Sequence, residues 1–154
     1  MHGYTLTIEN ENVEPIKFTV EDSEREADKS ITDVQFKMNT LDDNSKSKSD
    51  SIRYELVIKG NINSANKDQT KMLANWAIDA NEKSMYRTVE VVINTQSNFS
   101  GETLRRYQAT GMFVVDYVEK FNDINDAGKD TESGKFELFI AQKVGSKQKD
   151  VFST

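Results

Sequence analysis

Polar and apolar residues alternate along most of this chain, and the alternation predicts seven β-strands. The longest run covers residues 103–121, where Phe113, Val115 and Tyr117 fall on one face of a pleated strand. Gly111 separates a polar first half from an apolar second half, and an isolated glycine within a strand is typical of a bulge or bend. Six shorter alternating runs begin near residues 5, 16, 31, 52, 88 and 135.

One segment has helical periodicity instead. Over residues 67–81, Leu73 and Trp76 begin an apolar stripe with i, i+3, i+4 and i+7 spacing. Asn66 and Gln69 precede it with the spacing of a capping box. Trp76 is the only tryptophan, and we interpret it as a core anchor, with a ligand platform as the alternative.

Strands with one polar and one apolar face are typical of antiparallel sheets. We therefore expect one mainly β domain over residues 1–154: a small antiparallel β-barrel, or a tight sandwich, of about seven strands with one flanking helix at about 67–81. Residues 42–51 and the polar C-terminal tail 145–154 are predicted to be exposed. The predicted core anchors are Leu73, Trp76, Phe113, Val115 and Tyr117.

Charge and composition limit the classes of partner that the chain can bind. The net charge of −6 and the pI near 4.9 argue against nucleic acid as a partner. The longest apolar run, residues 112–115, is too short to cross a bilayer, and the N-terminal residues carry no signal-peptide pattern. We expect no membrane insertion.

Candidate chemistry is sparse. The chain has no cysteine, and its single histidine is His2. No phosphate loop, nucleophile elbow or zincin motif is present. Asp123 begins a stretch with partial similarity to a calcium loop, but Gly134 stands where the bidentate glutamate belongs, which favours a solvated turn. We predict a protein that is not an enzyme, with no catalytic residue, cofactor or metal.

The element order carries a resemblance to a known family. It runs through YELVIKGNI, NKDQTKMLANWAIDAN, YRTVEVVINT, LRRYQATGMFVVDYVEKFND and GKFELFIAQK, and the resemblance spans residues 52–143. This order resembles the haemolysin-coregulated-protein family, the inner-tube proteins of type VI secretion systems, and the tail-tube proteins of phage-like contractile particles. The acidic stretch 122–134 and the lysine-containing tail depart from common type VI members, which favours a phage-derived or extracellular particle.

The resemblance implies a structural role. It implies hexameric rings joined sheet to sheet, stacked into a tube with a central channel, and sheath and baseplate proteins as further partners. The expected place of assembly is the bacterial cytoplasm, with release as part of the particle.

The assembly interface predicted from the polar stretch and the arginine pair comprises Asp42, Asp43, Asn44, Lys46, Lys48, Asp50, Arg105 and Arg106. The alternative function is a monomeric β-barrel module that binds a peptide or a small ligand, with Trp76 and tyrosines lining its pocket.

Overall fold

The computed structural model describes residues 2–19, 26–40, 52–96, 101–122 and 134–143. The described residues form seven strands, a one-turn 3-10 helix at Glu26–Asp28 and one α-helix. The elements are β1 (Gly3–Asn10), β2 (Val13–Phe18), β3 (Ile31–Thr40), β4 (Ile52–Ile62), α1 (Lys67–Ile78), β5 (Arg87–Asn94), β6 (Thr103–Lys120) and β7 (Gly134–Gln142).

All seven strands belong to one antiparallel sheet in the order β2-β1-β5-β6-β7-β4-β3. The sheet curls strongly. Two strands separate β3 from β6 in the sheet, yet the Phe36 ring of β3 stacks on the Tyr107 ring of β6 with centroids 4.3 Å apart. The prediction of a mainly β, antiparallel fold with one helix is confirmed. The two outer strands are not hydrogen-bonded to each other in the described sheet, so it is open rather than a closed barrel.

The core fills the concave side of the sheet. The side chains at its centre are almost fully buried: Leu6, Ile8, Ile16, Leu56, Ile58, Leu73, Trp76, Val89, Met112, Phe136, Leu138 and Ile140. β1, β2, β4, β5 and β7 contribute every second residue to the core, as the alternation predicts, whereas β6 departs from this spacing. α1 lies against β6 and β2 and brings Leu73 and Trp76 into this core, where the Trp76 indole N–H donates to the Met85 carbonyl at 2.8 Å. Trp76 is 1% exposed, so it is not available as a ligand platform.

A bulge in β6 changes the phase of its second half. Its pairing with β7 shifts register between Val114 and Asp116, so one extra residue is accommodated in β6 there. Val114 and Tyr117 consequently pack against the core, whereas Val115 is 59% exposed. The interpretation of Val115 as a core anchor is wrong, because strict alternation does not continue through a bulge.

Phe113 also lies away from the central cluster. It is half-buried and meets the Tyr86 ring edge-on at a centroid distance of 6.0 Å. Its neighbour Met112 is fully buried instead. At residues 112–115 the core-facing side of β6 therefore carries Met112 and Val114, not Phe113 and Val115 as predicted. Of the three predicted anchors in β6, only Tyr117 packs against the core.

Gly111 is the site of a second irregularity in β6. Its φ is +65°, a left-handed conformation that glycine adopts without steric cost. The β5–β6 register shifts across the same point, where Arg87 pairs with Met112 and Val89 with Ala109. The bend predicted at Gly111 is present.

α1 ends earlier than predicted, at Ile78 rather than near residue 81. Asp79 has an extended backbone, and its N–H donates to the Trp76 carbonyl at 3.1 Å, which closes the last turn. The capping box is absent. The Asn66 side chain instead donates to Ser30 Oγ and to the Asn61 carbonyl, at 2.9 and 2.8 Å.

Three predicted segments lie largely or wholly outside the described residues. They are the stretch 42–51, the tail 145–154 and the loop 122–134, of which only the two end residues are described. The calcium-like pattern that begins at Asp123 therefore stays a sequence pattern.

The bulge makes a direct prediction for two adjacent valines. Val114→Asp places a carboxylate against the core and should lower the free energy of unfolding by about 2–4 kcal/mol. Val115→Asp changes an exposed side chain and should alter it by no more than about 0.5 kcal/mol. Urea unfolding of both variants at pH 7 measures the difference, and a larger loss for Val115→Asp would contradict the bulged register.

Candidate assembly surfaces

The two edges of the sheet are protected to different degrees. At β2, the Lys17 N–H donates to Gln69 Oε1 of α1 at 3.1 Å, and Pro15 has no N–H to present. At β3, nine of the ten residues pair with β4, and no other described strand pairs with β3. An edge with unpaired N–H and C=O groups is a template for another strand. β3 is therefore the more accessible edge among the described strands.

The β3 edge is polar on its convex side. Asp33, Gln35 and Lys37 alternate along it and are all exposed. Charges on an edge strand oppose indiscriminate pairing, but they also select a partner of complementary charge. Met38 adds an apolar group near the end of the strand and is 52% exposed.

The two arginines predicted as interface residues lie in the first half of β6. Arg105 pairs with Ile93 and Arg106 with Val92 of β5, so they project from opposite faces of the sheet. Both are exposed, and Arg105 Nη1 donates to the Leu104 carbonyl at 3.2 Å. The structure does not bring them together as one patch. The other predicted interface residues, Asp42 to Asp50, lie outside the described residues.

A polar face continues from Arg106 across β5 and β1. Its convex side holds a shallow depression lined by Thr7, Glu9, Thr88, Glu90 and Gln108. The lining is hydroxyl, amide and carboxylate groups without a large apolar side chain, so this face suits contact with water.

A second surface was not predicted from the sequence. An open groove of about 500 Å³, here called the helix–strand groove, lies between α1 and the second half of β6. Its lining combines apolar and acidic side chains: Ala74, Ala77, Ile78, Val114, Val115, Asp116, Tyr117 and Glu119. The bulge creates one wall by turning Val115 outward, and the early end of α1 leaves Ile78 82% exposed.

Hydrogen bonds organise the acidic wall of the groove. The Tyr117 hydroxyl donates to Glu119 Oε1 at 2.8 Å, and Asp116 Oδ1 accepts from the Tyr117 N–H at 3.0 Å. Burial raises the pKa of Tyr117 well above its usual value, and the bond to Glu119 raises it further. Tyr117 therefore remains a neutral donor, and the two carboxylates give the groove a negative wall.

A partly buried ion pair links the end of α1 to β5 beside this groove. Arg87 Nη2 lies 3.5 Å from Asp79 Oδ2, and the Arg87 guanidinium lies 5.2 Å from the centroid of the Trp76 ring. Ser84 Oγ donates to Asp79 Oδ2 at 2.6 Å. The Ser84 hydrogen bond is the main cause that lowers the pKa of Asp79, followed by the Asn81 backbone N–H, and Arg87 contributes further. Asp79 is therefore ionised in the folded protein.

Sequence reasoning missed this network, although one signal was present. Arg87 shares the phase of Val89 and Val91, so alternation places it on the buried face of β5. A charge in that position requires a partner. No group of three or more histidine, cysteine, aspartate or glutamate side chains suited to a metal occurs among the described residues. The described part of the chain also contains no helix of the length and apolarity needed to span a membrane.

Comparisons with known proteins give little further information. No protein family matches the sequence, and no curated protein matches it. A solved structure that resembles this chain is the cryo-EM structure of the anti-feeding prophage (AFP) baseplate, 6-fold symmetrised. The match has a TM-score of 0.41 and 11% identity, and it covers 94% of this chain and 95% of the other. A TM-score this low does not establish a shared fold.

The ion pair predicts a specific pH dependence. Because folding lowers the pKa of Asp79, its carboxylate stabilises the fold fully above about pH 4, the ordinary aspartate pKa, and less as the pH falls through the lowered value. Asp79→Asn should reduce the free energy of unfolding by about 1–3 kcal/mol at pH 6. The difference from the unsubstituted protein should shrink below about pH 4.

Urea unfolding between pH 6 and pH 2.5 tests this, with Asp33→Asn as a control that removes an exposed carboxylate. The control should follow the unsubstituted protein at every pH. A pH-independent loss in Asp79→Asn would show that the charge of Asp79 does not contribute.

Proposed function

We propose that this chain is a structural inner-tube subunit of a contractile injection particle, either type VI-like or phage-tail-like. The observation that carries the proposal is the β3 edge, which pairs with no described strand other than β4, whereas at the opposite edge the Lys17 N–H of β2 is bonded to α1. A second copy that contacts this edge would satisfy its backbone groups. Because the two edges differ, the contact is heterologous, and heterologous contacts generate rings or open filaments.

The order of elements gives further support. From residue 52 onwards the chain forms β4, α1, β5, the long β6 and β7, which is the order on which the resemblance to tube proteins is based. The polar depression on the convex side of β1 and β5, whose lining does not include Arg106, is suited to a water-filled channel, since hydroxyl, amide and carboxylate groups line it.

The finer features of the proposal follow from the same resemblance. We propose hexameric rings that stack into a tube with a central channel, sheath and baseplate proteins as further partners, and no catalytic activity. Assembly is proposed to occur in the bacterial cytoplasm, before release as part of the particle. We propose that Arg106, exposed on the convex face of β6 and outside the channel-facing depression, meets an acidic group such as Asp33 on the β3 edge of a neighbour.

A monomeric binding module is the second candidate, and the helix–strand groove is the observation that favours it. Exposed Ile78 and Val115 beside two carboxylates would suit an apolar segment with basic residues. The two candidates differ in their mass in solution, because a binding module remains a monomer by light scattering at concentrations where a tube subunit assembles.

Assembly and its dependence on Arg106 provide the test. The purified protein at increasing concentration should form rings or tubes visible by negative-stain electron microscopy. Arg106→Glu should raise the concentration needed for assembly roughly tenfold, which corresponds to the loss of one charged contact of about 1.4 kcal/mol. Sedimentation velocity measures the shift.

Lys71→Glu is the matched control, because Lys71 is an exposed cation on α1 and its reversal changes the net charge equally. It should assemble as the unsubstituted protein does. A monomer at all concentrations, with sheath and baseplate components present, would overturn the proposed function.

A further inference from the structure

The helix–strand groove exposes apolar area that no described residue covers. Ile78 is 82% exposed at the end of α1, and Val115 is 59% exposed at the β6 bulge, and both line the same groove. Exposed aliphatic side chains that share one concave surface mark a site for another apolar group. Asp79, which directly follows α1, forms an ion pair with Arg87 of β5, and this contact ties the Ile78 wall of the groove to the sheet.

The charge of the groove limits what can occupy it. Asp116 and Glu119 are the charged groups of its lining, and both are exposed. No arginine or lysine is among the lining residues. The complementary occupant is a short segment with apolar side chains to cover Ile78 and Val115 and with basic side chains beside them.

The chain itself contains such a segment beyond its last described residue. Residues 144–154 read VGSKQKDVFST, with Lys147 and Lys149 followed by Val151 and Phe152. We propose that residues 147–152 of the same chain bind in the helix–strand groove, with Val151 and Phe152 on its apolar floor and the two lysines near its carboxylates. This inference does not depend on the proposed function.

The length of the segment allows it to reach the groove. The N–H of Lys143 donates to the Gly111 carbonyl at 2.7 Å, so the tail begins beside Gly111. Val115 lies four residues further along β6, which is about 13 Å at the rise of a strand. The nine residues from 144 to Phe152 extend up to about 30 Å, enough to reverse direction and reach Val115. Attachment to the same chain gives this segment a high effective concentration, which favours it over the tail of another copy.

Because the chain has no cysteine, any disulfide in an engineered variant must form between the introduced cysteines. Two double variants test proximity: Val115→Cys with Phe152→Cys, and Ile78→Cys with Phe152→Cys. Under mild oxidation at micromolar concentration, at least one should form an intramolecular disulfide at least tenfold faster than the control pair Lys37→Cys with Phe152→Cys. Lys37 is exposed on β3, away from the groove. A disulfide requires Cβ atoms within about 4.5 Å, so rapid formation reports contact.

Non-reducing electrophoresis and intact mass distinguish the outcomes. A disulfide within one chain, formed faster than in the control, supports the proposal. A disulfide-linked dimer would assign the groove to the tail of another copy, and rates equal to the control in both pairs would show that the tail does not occupy the groove. Either result overturns the proposal, and neither bears on ring assembly.

Charge complementarity has its own test in the same variant. Adding Lys147→Glu and Lys149→Glu to the faster pair should slow disulfide formation roughly fivefold, the effect of losing two exposed ion pairs. The control adds two substitutions on α1 instead, Lys67→Glu and Lys71→Glu. They change the net charge equally and should leave the rate of disulfide formation unchanged. An equal effect of the two sets would exclude a specific role for the tail lysines and overturn that part of the proposal.

Discussion

A β-sheet that does not close has two edges, and the unpaired N–H and C=O groups of each edge need partners. In this protein α1 covers one edge, through the bond from the Lys17 N–H to Gln69 Oε1. The other edge, β3, pairs only with β4 in the described sheet. This asymmetry determines how the fold can interact, since a contact made through β3 must use a different surface on the neighbouring molecule.

Two irregularities in β6 shape the rest of the surface. Gly111 bends the strand through a positive φ, and the bulge at Val115 exchanges the faces of the residues that follow. The bulge turns an aliphatic side chain outward beside Ile78, at the end of a helix held by the Asp79–Arg87 pair. The groove is thus a consequence of backbone irregularity in β6 and of one partly buried ion pair at the end of α1, which explains why it lies apart from the sheet edge.

Alternation alone predicted the number of strands, the antiparallel pairing class and the helix, because half-buried strands and an amphipathic helix have different periods. Phe113 and Val115 show where this reasoning fails. The register shift at Gly111 changes which face of β6 points into the core. The second shift, between Val114 and Asp116, has no glycine or other residue in the sequence that would signal a bulge. Asn66 is the N-cap residue but its side chain makes no capping bond, because Oδ1, the acceptor that a cap requires, accepts from the Asn63 N–H at 2.9 Å. Arg87 could have been recognised from the sequence as a buried charge, because it alternates in step with the core residues Val89 and Val91.

In the proposed assembly, the β3 edge joins neighbouring copies. Hydrogen–deuterium exchange of the peptides that contain Ile31–Thr40, compared between dilute and assembled protein, tests it most directly. Amides of β3 should become protected on assembly, while the Lys17 amide of β2, already bonded to α1, should change little. Protection that appears in β2 and not in β3 would contradict it.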